Sequence, residues 1–336
     1  MLPLKEIYND FFDLQLLHQY NEETFNVLAL KIFNYQLSHN DIYRRYVKSL
    51  KIDETTVQHY TQIPFLPIEF FKSQKIVCSN TIENPVCFSS SGTTGQITSK
   101  HYVTDISIYE ASFKKGFELV YGNITDYCVL ALLPNYLERK GSSLVYMFNQ
   151  LILDSNNSLS GFYLNNLSDL IATIEILKKK KQKTILLGVT YALLDLAEMN
   201  IELTDDFIVM ETGGMKGKKK EMLKEELYGI LKQKLKVSSI HSEYGMTELL
   251  SQAYSTQNGQ FACPPWMKIL IRDMNDPFSY VSKNKSGGVN VIDLANINSC
   301  SFIETKDVGR LTQSSQFEIL GRFDNSDLRG CNLMIQ

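Results

Sequence analysis

Residues 87–103 read CFSSSGTTGQITSKHYV, an apolar lead-in, a crowd of hydroxyls around two glycines and a basic exit. The stretch is not a P-loop, which needs four residues between its glycines and then Lys-Ser/Thr, whereas Gly92 and Gly95 enclose only Thr93 and Thr94. Nor is it a dinucleotide fingerprint. It supplies close-spaced glycines and many Ser and Thr donors, so backbone N–H groups and hydroxyls can converge on an anionic oxygen without side-chain obstruction. On composition alone a phosphate cradle and a plain surface turn both remain open. What surrounds the stretch decides between them.

Upstream, the first seventy or so residues read as helical: Asn21 with Glu22 and Glu23 forms a capping start, and Phe25, Leu28, Ile32 and Phe33 are spaced for one buried face. Downstream, apolar runs alternate with amphipathic segments (YCVLALLP, GSSLVYMFNQLIL, SGFYLN, LSDLIATIEILKKK, TILLGV, YALLDLAEM, DFIVMETGG). Strand and helix in repeated alternation predict an α/β domain with a largely parallel sheet. KKKEMLKEELYGILKQKL reads as another amphipathic helix and VSSIHSEYG as a strand ending in a turn. The last eighty residues shift to short strands (MKILIRD, GGVNVIDL, SFIETKDVG, QFEILGR), a β-rich subdomain. There is no internal repeat and no flexible linker.

The 336 residues, 44% of them hydrophobic, suffice for a substantial core. A net charge of −3 gives no electrostatic reason to expect nucleic acid or an anionic membrane as partner. The one dense basic run, KKKKQK at 178–183, reads as the solvated end of a helix whose buried side carries Leu170, Ile171, Ile174, Ile176 and Leu177. MLPLKEIYNDFF lacks the apolar core of a secretory peptide, and no window approaches the apolar length of a membrane span, so no stable membrane insertion is expected. The cysteines at 78, 87, 128, 263, 300 and 331 show no CxxC pair, which argues against a zinc site or disulfide framework and for a reducing cytoplasm. Cys87 and Cys128 read as core residues.

The loop resembles the phosphate-binding signature of adenylate-forming enzymes, roughly S/T-S-G-T-T-G-x-P-K. Ser90, Ser91, Gly92, Thr93, Thr94 and Gly95 match; Ile97 and Thr98 occupy the positions of its proline and lysine, with Lys100 two residues on. Its companions follow in order. HSEYGMTE at 241–248 is similar to that superfamily's aromatic-G-x-T-E segment. The resemblance implies that Tyr244, beside Gly245, stacks on adenine, Thr247 contacts the α-phosphate and Glu248 holds Mg²⁺. A hard cation wants carboxylate oxygen, and a base gains about 1–3 kcal/mol by stacking on an aromatic face. METGGMKGK at 210–218 presents Gly213 and Gly214 where a backbone can approach a flat base. IETKDVG resembles that superfamily's Y-x-T-x-D-x-G and GRFDNS its G-R-x-D-D, which implies Asp307 as the carboxylate for the ribose hydroxyls, Arg322 also at the ribose and Asp324 at a hinge.

Fourteen residues follow Arg322, too few for the mobile lid of full-length members, so no C-terminal lid is expected. Among that superfamily the chain resembles the LuxE-type acyl-protein synthetases, in IPFLPIEFFKS (63–73), SSSGTTGQ, LPNYLERKGSSLVYM (133–147), ETGGMKG and the terminal RGCNLMIQ. The expected fold is therefore the α/β large domain of adenylate-forming enzymes in one unit, 1–336. Residues 1–80 form a helical lead-in, 84–255 an α/β nucleotide-binding part, 256–325 a β-rich subdomain and 326–336 a mobile tail. The resemblance implies a ligase of the acid–thiol, long-chain fatty-acid:protein kind: fatty acid and ATP give acyl-adenylate and pyrophosphate, and the acyl group passes to the protein's own Cys331. Arg329 and Gly330 precede that thiol, a cation expected to favour the thiolate and a glycine expected to serve as a hinge. Lys100, His101, Arg139 and Lys140 are the cations available to the developing phosphate charge, Lys100 and Arg139 foremost; His241 is assigned no role. ATP and Mg²⁺ are the implied substrate and ion. A fatty or other carboxylic acid and an acyl-accepting protein (reductase, acyltransferase or carrier protein) are the implied partners. Transfer to coenzyme A or a carrier phosphopantetheine is the alternative, and a non-catalytic nucleotide- or acyl-binding module the alternative of another class.

Overall fold

The computed structural model describes residues 21–79, 84–90, 97–134, 139, 141–213 and 222–323. The chain opens with helix α1 (Glu22–His39), capped by Asn21, whose Oδ1 accepts from Thr24 N at 2.9 Å while the Thr24 hydroxyl accepts from Asn21 N. The capping start is where Asn21 predicts it, with Thr24 completing the reciprocal box. Phe25, Ile32 and Phe33 are buried and Leu28 packs against them. Asn40 caps α2 (Asp41–Ser49). The lead-in is not wholly helical: β1 (Leu66–Pro67) precedes α3 (Phe70–Ser73) and pairs in parallel with a strand more than 230 residues later in the chain.

The strand and helix order through the middle is the one the alternating pattern predicts. A hairpin, β2 (Val86–Ser89) with β3 (Lys100–Val103), flanks the glycine-serine-threonine loop. Then come α4 (Ile106–Tyr121), β4 (Cys128–Leu132), α5 (Ser143–Asp154), β5 (Gly161–Phe162), α6 (Leu167–Lys180), β6 (Thr184–Gly188), α7 (Thr190–Ala197), β7 (Phe207–Glu211), α8 (Lys224–Leu235), β8 (Ile240–Tyr244) and β9 (Ala253–Ser255). The sheet runs β5-β4-β6-β7-β8-β9, parallel throughout except for antiparallel β9. Strands β4 and β6 are buried along their whole length, as their unbroken apolar runs require of the middle of a helix-covered parallel sheet.

The final part is β-rich as expected: β10 (Met267–Arg272), β11 (Ser286–Asp293), β12 (Phe302–Leu311) and β13 (Phe317–Arg322) form a second sheet in the order β1-β12-β11-β10, with β13 on the far side of β12. Buried Gln36 of α1 joins the lead-in to this part, donating to the Asn296 and Ile297 carbonyls at 3.1 and 2.9 Å and accepting from Ser301 N.

Two residues depart from the sequence reading. Ile176, placed on the buried side of α6, is exposed, the buried stripe being Leu170, Thr173, Ile174 and Leu177. Cys87, read as core, is exposed because β2 turns only Phe88 fully inward; Cys128 is buried as read. The basic run ends α6, with Lys181 in the left-handed region as its cap. No helix among the described residues is long and apolar enough to cross a membrane.

Candidate active site

Parallel strands β7 and β8 end side by side, at Glu211 and Tyr244, the edge of an α/β sheet where ligands usually lie. Glu211 is buried and pins the turn beyond β7: its Oε1 accepts from Gly213 N at 2.6 Å and the Thr190 hydroxyl at 2.7 Å, its Oε2 from the Ser242 hydroxyl at 3.2 Å. Gly213 takes φ +78, a conformation that costs a residue with a Cβ about 1–2 kcal/mol. Among the described residues, a Cβ there would meet nothing within 4 Å.

Tyr244, at the end of β8, turns its hydroxyl to the second sheet and donates to Asp307 Oδ2 at 2.9 Å. Its ring is buried, edge-on to Phe317 at 5.2 Å and tilted to Phe261 at 5.8 Å. Asp307 on β12 and Arg322 on β13 are register partners, and Arg322 Nε lies 3.2 Å from Asp307 Oδ1. Asp307 is itself buried, which raises its pKa, while Arg322, Tyr244, Lys224 and Arg272 oppose the rise. The structure thus brings Tyr244 together with Asp307 and Arg322, which lie more than sixty residues further along the chain.

The hairpin carries the base of the glycine-serine-threonine loop. Ser90 and Ser99 close it: Ser90 N donates to the Ser99 carbonyl at 3.1 Å and Ser99 N to Ser90 Oγ at 2.9 Å. The turn holding Arg139 packs on the same strand, Ser89 N donating to the Gly141 carbonyl at 2.7 Å. Lys100 opens β3 opposite Ser89 on its exposed face. Ser91, Gly92, Thr93, Thr94, Gly95, Lys140, Gly214, Asp324 and Cys331 lie outside the described residues.

Beyond Tyr244 comes Gly245, then an irregular segment that places Thr247 half-buried and Glu248 buried. A Cβ on Gly245 would meet the end of the Glu243 side chain, so a larger residue here requires that carboxyl to shift. The segment is held from the second sheet by Asp293, whose carboxylate accepts from Leu250 N at 2.7 Å, Ser251 N at 3.0 Å and the Ser251 hydroxyl at 2.5 Å. Burial raises the Glu248 pKa, against a hydrogen bond from Ser99 and the charge of Arg322. It has no salt bridge within the described residues, which also contain no cluster of three or more metal-ligating side chains. A single buried carboxylate without an ion pair suits Mg²⁺, which commonly takes one or two carboxylates and completes its shell with substrate phosphates and water.

His101, named by sequence among the available cations, is fully buried with both ring nitrogens engaged, and burial pushes its pKa down to about 4. It is not placed to serve as an exposed cation. His241 is structural, its Nδ1 3.2 Å from the Tyr121 hydroxyl. Sequence reading missed Lys224, which lies 4.9 Å over the Phe261 ring at the start of α8; burial lowers its pKa, with Glu211 and Asp307 opposing. It also missed Glu211, Asp293 and Asn296. A cavity of about 230 Å³ lies away from this constellation, lined by Tyr46, Phe65, Phe278, Tyr280 and Glu304 among others, and none of the residues just described lines it.

Glu243 faces inward from β8, and burial plus the charge of Glu211 push its pKa up to about 8. In the unfolded chain the group ionises near 4.5, so between these values the native state holds a proton that the unfolded state releases. Stability fully present below the unfolded pKa is lost as pH rises through the folded one. Glu243→Gln is expected to leave Tm unchanged at pH about 4 and to raise it by several degrees at pH about 8.5, read by thermal unfolding across that range.

A family model described as "Acyl-protein synthetase, LuxE" matches residues 6–336. Comparison with curated proteins finds no match. Among solved structures, an open conformation of 2-hydroxyisobutyryl-CoA ligase in complex with 2-HIB-AMP and CoA superposes with a TM-score of 0.67 at 11% identity, covering 90% of this chain and 70% of that one. ATP-bound MatB from Rhodopseudomonas palustris gives 0.54 at 16% identity, over 72% of this chain and 50% of that one. The chain spans about half the length of the MatB structures it matches. At such identities the likeness establishes the fold, that of the large domain of adenylate-forming enzymes. The family match extends over nearly the whole sequence, and the chain belongs to the LuxE acyl-protein synthetase family.

Proposed function

We propose that this chain activates a carboxylic acid with ATP, forming an acyl-adenylate and pyrophosphate, and then carries the acyl group as a thioester on Cys331. The observation that carries the reading is the convergence of Tyr244, Asp307 and Arg322 at the end of β8, with Glu248 bonded to Ser99 at the base of the phosphate-loop hairpin. The base would lie between the Gly213–Gly214 turn and Tyr244, and the ribose hydroxyls would donate to Asp307, whose oxygens keep lone pairs beyond those facing Tyr244 and Arg322. Ser90 to Gly95 would cradle the phosphates, with Thr247 at the α-phosphate and Gly245 permitting close approach. Lys100 and Arg139 would supply positive charge to the developing phosphate oxyanion. Mg²⁺, held by Glu248 and the phosphates, would neutralise phosphate charge.

In the first step a carboxylate oxygen forms a bond to the α-phosphorus and the bond to pyrophosphate breaks. In the second, the Cys331 thiolate bonds to the acyl carbon, AMP leaves, and the thiol proton goes to solvent; a hard substitution becomes two easier ones. The proposed substrate is a long-chain fatty acid and the proposed recipient a partner protein that removes the acyl group, the chain acting as one unit over 1–336. The test is the intact mass of the protein after incubation with ATP, Mg²⁺ and a panel of acids, wild type beside Cys331→Ser. A hydroxylamine-labile adduct equal to acid minus water on the wild type alone is expected. An adduct retained by Cys331→Ser refutes the assignment of the thiol.

A further inference from the structure

The segment from Thr247 to Ser251 lies outside any strand or helix, yet it must present Thr247 and Glu248 in one fixed direction. Asp293 holds its far end, at Leu250 and Ser251. Its near end is held by two other side chains. His101 Nδ1 lies 2.9 Å from the Thr247 carbonyl, and His101 Nε2 lies 3.0 Å from Asn296 Oδ1. Asn296 Nδ2 in turn donates to the Glu248 carbonyl at 2.8 Å and to the Cys300 carbonyl at 2.9 Å. Those two carbonyls fix which way the amide points, so Oδ1 is the atom facing His101. Phe71 meets the imidazole edge-on at 5.7 Å, and both His101 and Asn296 are 1% exposed.

Placement makes this more than packing. His101 is the second residue of β3, the strand that leaves the glycine-serine-threonine loop, and its neighbour Ser99 closes that loop against Ser90. Asn296 sits in the short helical turn after β11, itself anchored from the lead-in by Gln36. The bonds on Thr247 and Glu248 therefore couple the loop exit, the second sheet and the segment between them.

Resting on the reading above, we propose that His101 and Asn296 are positioning residues for adenylation. The Nδ1–H of His101 holds the Thr247 carbonyl and the Nδ2–H of Asn296 holds the Glu248 carbonyl, so the loop and the Thr247–Glu248 pair keep one geometry toward the triphosphate. Neither residue touches substrate. Both ring nitrogens face acceptors, and a neutral imidazole has one hydrogen to give; the tautomer required here carries it on Nδ1.

Two substitutions separate the two ring nitrogens. The amide of His101→Asn reaches the Nδ1 position and keeps the bond to Thr247; that of His101→Gln reaches the Nε2 position and loses it. Each variant loses the ring and keeps one buried donor, toward Thr247 in His101→Asn and toward Asn296 Oδ1 in His101→Gln, so similar losses of Tm are expected. His101→Gln is expected to lower kcat of acid-dependent pyrophosphate exchange by about 10²-fold, the scale of a displacement of about 1 Å, while His101→Asn stays within about threefold of wild type. Calorimetry of ATP binding with and without Mg²⁺ gives a readout apart from activity: the tightening by Mg²⁺ should persist in His101→Asn and vanish in His101→Gln. Equal behaviour of the two variants, or rescue by Gln instead of Asn, overturns the proposal. If neither variant folds, ¹⁵N NMR of the histidine rings in the wild type decides it, since a proton on Nε2 of His101 contradicts the assignment. A wild type without exchange but with Mg²⁺-dependent ATP binding refutes the proposed reaction and leaves the positioning test intact.

Discussion

Glu248→Gln is expected to lower the rate of acid-dependent adenylate formation by about 10²–10³-fold, the effect of removing one group that stabilises developing charge, while leaving the fold intact or more stable. The side chain is buried, has no salt bridge among the described residues, and its pKa is raised by that burial. A protein that needed only a folded turn here would hold a neutral side chain more cheaply, because an ionised carboxylate out of water is costly unless something of opposite charge arrives. The amide keeps the shape and removes the titration. The sign follows from the direction of the shift: the native state binds the proton more tightly than the unfolded one, so wild-type stability falls as pH rises through the folded pKa, and the variant lacks that fall. Initial rates over a range of Mg²⁺ concentrations, beside Tm near pH 8, check both halves. A full rate in a folded Glu248→Gln protein would remove this residue from the proposed site.

Asp307→Ala should act on nucleotide recognition. Two ribose hydroxyls donating to one buried carboxylate, at about 1.5–3 kcal/mol for each charge-assisted bond, amount to about 3–6 kcal/mol, so the KM for ATP should rise by about 10²–10⁴-fold. The substitution also strips the Tyr244 hydroxyl of its acceptor and Arg322 of its ion pair. The latter contributes little by itself, because the Arg322 side chain is 67% exposed and water screens it. Comparing ATP with its 2′-deoxy analogue isolates the ribose contribution: the wild type should prefer ATP and the variant should treat the two alike. Undiminished preference in Asp307→Ala would place the ribose elsewhere.

The parts of this molecule that follow a period or a motif were legible in the sequence. The buried parallel strands announce themselves as unbroken apolar runs, the capping start of α1 as Asn21, and the short strands of the second sheet as β-branched runs between turns. The proposed site was legible only through its motif segments, in which Tyr244, Asp307 and Arg322 each stand. What stayed hidden were polar residues whose partners are remote. Gln36 bonds across 260 positions, His101 across 146 and 195, and nothing near either residue marks those partners. His101, seen as one more cation after a phosphate loop, is a buried brace because β3 alternates and turns it inward while Lys100 faces out. Lys224 was hidden for a similar reason: in a helix crowded with lysines, only the fold distinguishes the one above Phe261 from those in solvent. Cys87 and Ile176 show the opposite failure, apolar residues assigned inward by type although their elements present them to water.

The most direct test of acid activation is exchange of labelled pyrophosphate into ATP by the wild-type protein, measured with and without saturated, hydroxylated and aromatic carboxylic acids, with Asp307→Ala as control. The expected result is exchange that requires both Mg²⁺ and a carboxylic acid and falls sharply in the variant at subsaturating ATP, since only a reversible acyl-adenylate returns pyrophosphate to ATP. Absence of exchange with every acid despite measurable ATP binding, or conversion of ATP to ADP and phosphate, would contradict it.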